Sequence, residues 1–142
     1  MECFKGFKTL LIVMISFSTF AENKKTELEF HPICKTLSDV SGTIMQNRQS
    51  GLTYEQNHTH MLKHEDEDYF EALTLISEGA YRKRIAPGTV GKKDQTTMFK
   101  VDVLLSCQNV AHEFMDKNSE VDRMYLRAAL KTKFTKFVQI SY

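Results

Sequence analysis

The chain has 142 residues, with 19 Lys or Arg, 18 Asp or Glu, five His, three Cys and no Trp. Lys5, Lys8 and Glu2 belong to the first 21 residues, so 17 basic and 17 acidic residues follow them, and this balance argues against nucleic acid as a partner. The chain beyond these residues is long enough for one hydrophobic core and too short for two.

The N-terminal segment, residues 1–21, has the pattern of a secretory signal. Lys5 and Lys8 precede an apolar run that is shorter than the about 20 residues of a membrane span. Thr19 and Ala21 are small residues at the two positions that a signal peptidase recognises. We expect cleavage near Ala21 and export to the periplasm or the medium; a retained N-terminal anchor is the alternative. No later apolar run reaches membrane-spanning length, so we expect no transmembrane segment in the mature chain.

The first two helices of the chain are predicted from apolar spacing and from helix-end residues. From Pro32 to Ser50, apolar residues recur at the spacing of one helix face, with Pro32 in the first turn and Gly51 after the end. Thr53 and Gln56 form a capping-box pattern, which predicts the start of a short second helix.

Three further helices are predicted after an acidic stretch. The third spans Asp68 to Arg84, with acidic residues at its start and basic residues at its end, as the helix dipole favours. Pro and Gly residues at 86–91 break the pattern, so we expect a loop up to Lys93 and a fourth helix capped by Asp94. A fifth begins near Glu120. The inner face of the fourth helix carries Phe99, Val103, Leu104, Cys107, Val110, Ala111 and Phe114.

A helical domain at 22–116 is thus followed by a basic amphipathic helix or tail at 117–142. From Arg123 onward there are five basic residues, no acidic residue, and interleaved apolar side chains. One interpretation is a last core helix with solvated lysines. The other is an interaction surface on which residues such as Arg127 and Lys131 contact a protein or an anionic envelope surface.

Cys34 and Cys107 are the two cysteines beyond the signal, and each lies on the apolar face of its predicted helix. In an oxidising compartment we expect such a pair to form a disulfide. Two buried free thiols are the alternative.

Two polar features are candidate sites. His58, His60 and His64 lie beside acidic residues, and on a helix His60 and His64 share a face at a spacing that can hold one metal ion. Two ligands do not complete a metal site, and a polar helix end explains the same pattern, so we expect no cofactor. Arg48 and Gln49 end the first helix, where they either bond to the helix end and the loop or bind an anionic ligand or a partner.

Several short features of the chain occur together in one known group. They are Cys34, the segment Ile44–Gly51, the segment Glu78–Tyr81, Phe99 and Cys107. They resemble small exported helical proteins of Gram-negative bacteria, in which a cysteine opens one helix and an Arg-Gln-x-Gly step ends it. An Ala-Tyr pair follows, and a second cysteine closes the domain. The resemblance covers residues 32–108 and implies the same fold and compartment, and that group has no established activity.

The sequence therefore predicts a small all-α bundle of four to five helices, stapled by one disulfide. We expect a binding or interaction module of the cell envelope rather than an enzyme. The alternative is a small metal-dependent hydrolase or metal-binding protein that uses the cluster of His58, His60 and His64.

Overall fold

The structure, a computed structural model, describes residues 29–61 and 69–140. Over these ranges the chain forms five α-helices and no strand, which confirms the predicted all-α bundle. The helices are α1 (Pro32–Gln49), α2 (Tyr54–Met61), α3 (Phe70–Arg82), α4 (Gly88–Ala111) and α5 (Glu120–Ile140), with a short 3-10 helix, His112–Phe114, after α4. None of the helices in the described ranges is long and apolar enough to cross a membrane. The predicted signal, residues 1–21, lies outside the described residues.

The four long helices pack in a ring in the order α1, α3, α5, α4, and α2 lies against α1 and α3. They share one hydrophobic core, because α3, α4 and α5 each turn every fourth residue inward, as one helix face requires. The buried side chains of this core are Cys34, Leu37, Ile44, Met45, Ala72, Ile76, Ala80, Phe99, Val103, Cys107, Ala111, Leu126, Leu130 and Phe134.

Helix α5 belongs to this core. Leu126, Leu130 and Phe134 are buried in the same cluster as residues of α3 and α4. On its surface the Lys131 ammonium lies 3.0 Å from a carboxylate oxygen of Glu71 in α3. Of the two interpretations of the C-terminal segment, this packing is that of a last core helix.

A disulfide joins Cys34 of α1 to Cys107 of α4, with 5.4 Å between the two Cα atoms, as the sequence predicts. The two helices cross closely because α1 turns small residues toward α4. Ser38 Oγ donates a hydrogen bond to the Lys100 carbonyl at 2.9 Å. A Cβ atom added at Gly42 would lie only 2.5 Å from the Lys100 side chain. The disulfide therefore joins the two helices that have the most extensive contact among the described residues.

The predicted capping box opens α2. Gln56 Oε1 accepts a hydrogen bond from the Thr53 backbone N–H at 2.9 Å, and Thr53 Oγ1 accepts one from the Gln56 N–H at 3.3 Å. Helix α3 is shorter than predicted, because Lys83 already has extended backbone angles. Residues 83–87 link α3 to α4 without helix, with extended backbone angles at Lys83 and Pro87, and we call them the connecting segment.

The predicted start of the fourth helix is wrong. In place of a loop up to Lys93 and a cap at Asp94, α4 begins at Gly88. Gly88 has a φ of 68°, which glycine adopts without a steric penalty, so the chain turns abruptly from the connecting segment into the helix. Gly91 lowers helix propensity, and a Cβ added there would make an ordinary van der Waals contact with Ala86 at 3.4 Å. The helix therefore begins at the turn that Gly88 makes, although both Gly88 and Gly91 lower helix propensity.

His31 caps α1 and ties it to the end of α4. Its Nδ1 accepts a hydrogen bond from the Ile33 N–H at 3.3 Å, and its backbone N–H donates to Gln108 Oε1 at 2.9 Å. Burial lowers the pKa of His31, although a hydrogen bond to the Phe114 backbone acts in the opposite direction. The neutral imidazole is the form that fits this site.

This cap predicts a loss of stability in acid. Because the pKa of His31 is lower in the folded chain than its ordinary value of about 6.5, the unfolded chain binds the proton first as the pH falls. The stability that His31 contributes is therefore complete above that value and is lost as the pH falls toward the folded pKa. We expect the melting temperature to drop more between pH 7.5 and pH 5.5 for the parent than for His31→Asn, which keeps a capping oxygen without a titrating group. Equal drops would contradict this role.

Candidate functional site

Two of the short sequence features lie close together where α1 and α3 end. They are the Arg-Gln-x-Gly segment, Arg48–Gly51, and the Ala-Tyr pair, Ala80 and Tyr81. Arg48 Nε donates to the Lys83 carbonyl at 3.3 Å, and the Arg48 guanidinium lies 5.5 Å from the centre of the Tyr81 ring. The Tyr81 hydroxyl donates to the Thr53 carbonyl at 3.0 Å. Burial raises the pKa of Tyr81, although Arg48 opposes this shift, so the hydroxyl remains a donor at neutral pH. Features far apart in the sequence thus build one corner of the bundle.

Gln49 fastens the connecting segment to this corner. Its side chain is only 3% exposed. Its Nε2 donates to the Arg84 carbonyl at 3.2 Å, and its Oε1 accepts from the Ala86 N–H at 2.7 Å. Arg48 and Gln49 therefore form hydrogen bonds to the connecting segment. Of the two roles predicted for them, these bonds are those of residues that hold the loop after a helix.

Removing this amide should loosen the connecting segment. Gln49→Ala leaves the Ala86 N–H and the Arg84 carbonyl without their partner, so we expect the free energy of unfolding to fall by about 1 to 3 kcal/mol. Gln46→Ala is the matched control, because Gln46 is the same residue type, on the same helix, with an exposed side chain. That variant should change stability by less than about 0.5 kcal/mol. Urea unfolding of both variants makes the comparison, and equal losses would refute the role of Gln49.

An open groove lies between the connecting segment and the N-terminal half of α4, with a volume of about 460 Å³. Among its lining residues, Met45 and Phe99 belong to the buried core, at 0% and 2% exposure. Ile85 and Met98 also line it and remain 43% and 66% exposed. The groove therefore combines an apolar base with an apolar rim that water reaches.

The two walls of the groove carry opposite charges. Lys83 and Arg84 lie on the connecting segment, and Asp94 and Asp102 lie on α4. None of these four side chains forms an ion pair with another of the described residues. The Gln95 Oε1 atom, which is buried, accepts no hydrogen bond within the same part of the chain. The walls thus offer both signs of charge to a ligand.

Helix α4 also exposes apolar side chains on the face turned away from the core. Val90, Met98, Val101 and Leu105 are 74%, 66%, 46% and 50% exposed, and we call them the outer stripe. Their spacing places them on one side of the helix, and Met98 belongs to both the outer stripe and the groove. The outer stripe was not predicted, because the periodicity that indicates the fourth helix is that of its inner face.

The predicted metal cluster lies partly outside the described residues. The side chain of His60 and all of His64 fall there. His58 packs between two aromatic rings, with ring centres 5.7 Å from Tyr54 and 6.0 Å from Phe70. Across residues 29–61 and 69–140, no three His, Cys, Asp or Glu residues come together as a metal site.

The two basic residues proposed on the C-terminal helix lie away from the groove. Arg127 is partly buried on α5, and Lys131 pairs with Glu71. Neither is among the residues that line the groove.

Fold and site together define a disulfide-linked helical domain with an open groove, an apolar base and oppositely charged walls. Comparison with protein-family models, curated proteins and solved structures gave no match to this chain. The candidate site rests on the geometry of the chain itself.

Proposed function

We propose that the protein is an exported interaction module that binds a protein partner in the cell envelope. The observation that carries this proposal is the continuity of the groove with the outer stripe through Met98. Contiguous exposed apolar surface rimmed by polar residues is typical of protein-binding sites.

Export is supported by two features of the chain. The disulfide between Cys34 and Cys107 is of a kind that persists in oxidising compartments such as the periplasm. Residues 1–21 have the basic, apolar and small-residue order of a secretory signal. The resemblance to exported two-cysteine proteins points to the same compartment.

Binding is favoured over catalysis by the chemistry of the groove. Its lining contains no Ser, Cys or His that could act as a nucleophile or a base. Its two carboxylates, Asp94 and Asp102, are two helical turns apart, roughly 12 Å along α4, which exceeds the separation of paired catalytic carboxylates.

A protein is favoured over an anionic lipid surface by the charge next to the outer stripe. Asp94 lies on the same side of α4 as Val90, Met98 and Val101. A carboxylate placed there would be repelled by anionic headgroups. The basic residues of α5 lie on a different helix from the outer stripe, and Leu126, Leu130 and Phe134 of that helix are used in the core.

The proposal can be tested in envelope extracts of the source organism. We expect the parent chain to migrate in native electrophoresis as part of a larger complex and Met98→Asp to migrate as the single chain. Met124→Asp is the matched control, because Met124 on α5 is 59% exposed and lies outside the groove. That variant should stay in the complex. Loss of the complex in both variants, or absence of a complex for the parent, would count against the proposal.

A further inference from the structure

We propose that the peptide bond between Arg84 and Ile85 is a cleavage site for an endoprotease that cuts after basic residues, and that Gln49 controls access to it. The product is a two-chain protein that the disulfide holds together. This inference is carried by the connecting segment and the disulfide, and it does not depend on the proposed function.

The connecting segment has the side chains and the exposure that such a protease requires. Arg82, Lys83 and Arg84 are consecutive, and an acidic pocket of a trypsin-like protease binds the Lys or Arg that precedes the cut bond. Proteases cut folded proteins at exposed segments outside helices. Arg84 and Ile85 are exposed, and Lys83 has extended backbone angles. In the described part of the chain, only Lys83, Arg84 and Lys117 are Lys or Arg residues outside a helix.

One side chain holds the backbone on both sides of this bond. Gln49 Nε2 donates to the Arg84 carbonyl at 3.2 Å, and Gln49 Oε1 accepts from the Ala86 N–H at 2.7 Å. The Arg84 carbonyl is the group that a protease attacks, so it must leave Gln49 before it enters an active site. The bond is therefore cut from a locally opened form of the segment, and the rate follows the population of that form.

The disulfide joins the two products of this cut. Cys34 lies before the bond and Cys107 after it, so α1, α2 and α3 stay linked to α4 and α5. Among the described residues, the two most extensive helix contacts, α1 with α4 and α3 with α5, each join one product to the other. The bundle therefore stays folded after the cut.

The cut changes the charge beside the groove, which both Arg84 and Ile85 line. Hydrolysis breaks the bond between the Arg84 carbonyl carbon and the Ile85 nitrogen. One water supplies a hydroxyl to the carbon and a proton to the nitrogen, which leaves a carboxylate on Arg84 and an ammonium group on Ile85. Two new chain ends thus form at the wall of the groove.

Limited digestion of the purified, oxidised chain with trypsin tests the position of the site. We expect this bond to be cut before every other Lys or Arg bond of residues 69–140. The product should remain one molecule without a reductant, and reduction should release a fragment that begins at Ile85, identified by mass spectrometry. Lys83→Gln/Arg84→Gln should not give that fragment, and Lys117→Gln should give it at the rate of the parent.

The role of Gln49 is tested by comparing rates at different bonds. Gln49→Ala should form the fragment at least about fivefold faster than the parent, because the segment loses two hydrogen bonds and opens more often. Gln46→Ala should form it at the parent rate. Cutting after Lys100 in α4 and Lys131 in α5 should not be accelerated, since the helices stay closed when only the segment opens.

Several outcomes would overturn the inference. They are a first cut at another bond of residues 69–140, equal rates for Gln49→Ala and the parent, equal acceleration after Lys100, and release of the fragment without a reductant. In protein recovered from cells of the source organism, reduction should release the same fragment. Recovery of the intact chain alone would also overturn it.

Discussion

Replacing both Cys34 and Cys107 by Ser is expected to lower the free energy of unfolding by about 4 kcal/mol. The disulfide joins residues 73 positions apart, so it removes a large amount of conformational freedom from the unfolded chain. That loss is a large share of the roughly 5 to 15 kcal/mol that stabilises a domain of this size. Changing both cysteines avoids an unpaired thiol that could form other disulfides.

Urea unfolding measures this loss, and reduction of the parent chain provides the control. The reduced parent and the double variant should unfold at the same urea concentration, well below that of the oxidised parent. A double variant within about 1 kcal/mol of the oxidised parent would contradict the role of the disulfide.

Phe134→Ala is expected to destabilise the domain by about 3 to 5 kcal/mol. Phe134 is 0% exposed and stands first by volume among the fully buried side chains of the described residues. Its loss opens a cavity in the shared core that the packed helices close only in part.

Tyr125→Ala is the control for that substitution, because it also removes an aromatic ring from α5, at a position that is 64% exposed. It should change the free energy of unfolding by less than about 0.5 kcal/mol. If thermal or urea unfolding gave Phe134→Ala the same small effect, α5 would be a surface helix, and the docking interpretation of the C-terminal segment would return.

The bundle was predictable where helical periodicity and end signals agree. The apolar positions of α3, α4 and α5 recur every fourth residue, and the Thr53–Gln56 capping box acts over one turn. The pairing of Cys34 with Cys107 followed from their places on two apolar faces. The apolar spacing and the capping box act between residues close in the sequence. The cysteine pairing requires in addition only that helices bury their apolar sides.

The groove was not predictable because it depends on contacts between distant residues. Gln49 reaches Arg84 and Ala86 across 35 and 37 positions, and nothing near Gln49 in the sequence indicates those partners. The early start of α4 at Gly88 runs against the low helix propensity of Gly88 and Gly91, from which a loop is expected. The apolar residues of the outer stripe were visible in the sequence, but only the ring of helices shows which side of α4 remains uncovered.

Photo-cross-linking in intact cells tests the central claim most directly. A photo-reactive amino acid in place of Met98 should join the chain to one partner protein, because Met98 belongs to both the groove and the outer stripe. The same amino acid in place of Met124 should give no such product, although Met124 is nearly as exposed. A product of equal yield at both positions, or none at position 98, would contradict the claim that this face of α4 is the binding surface.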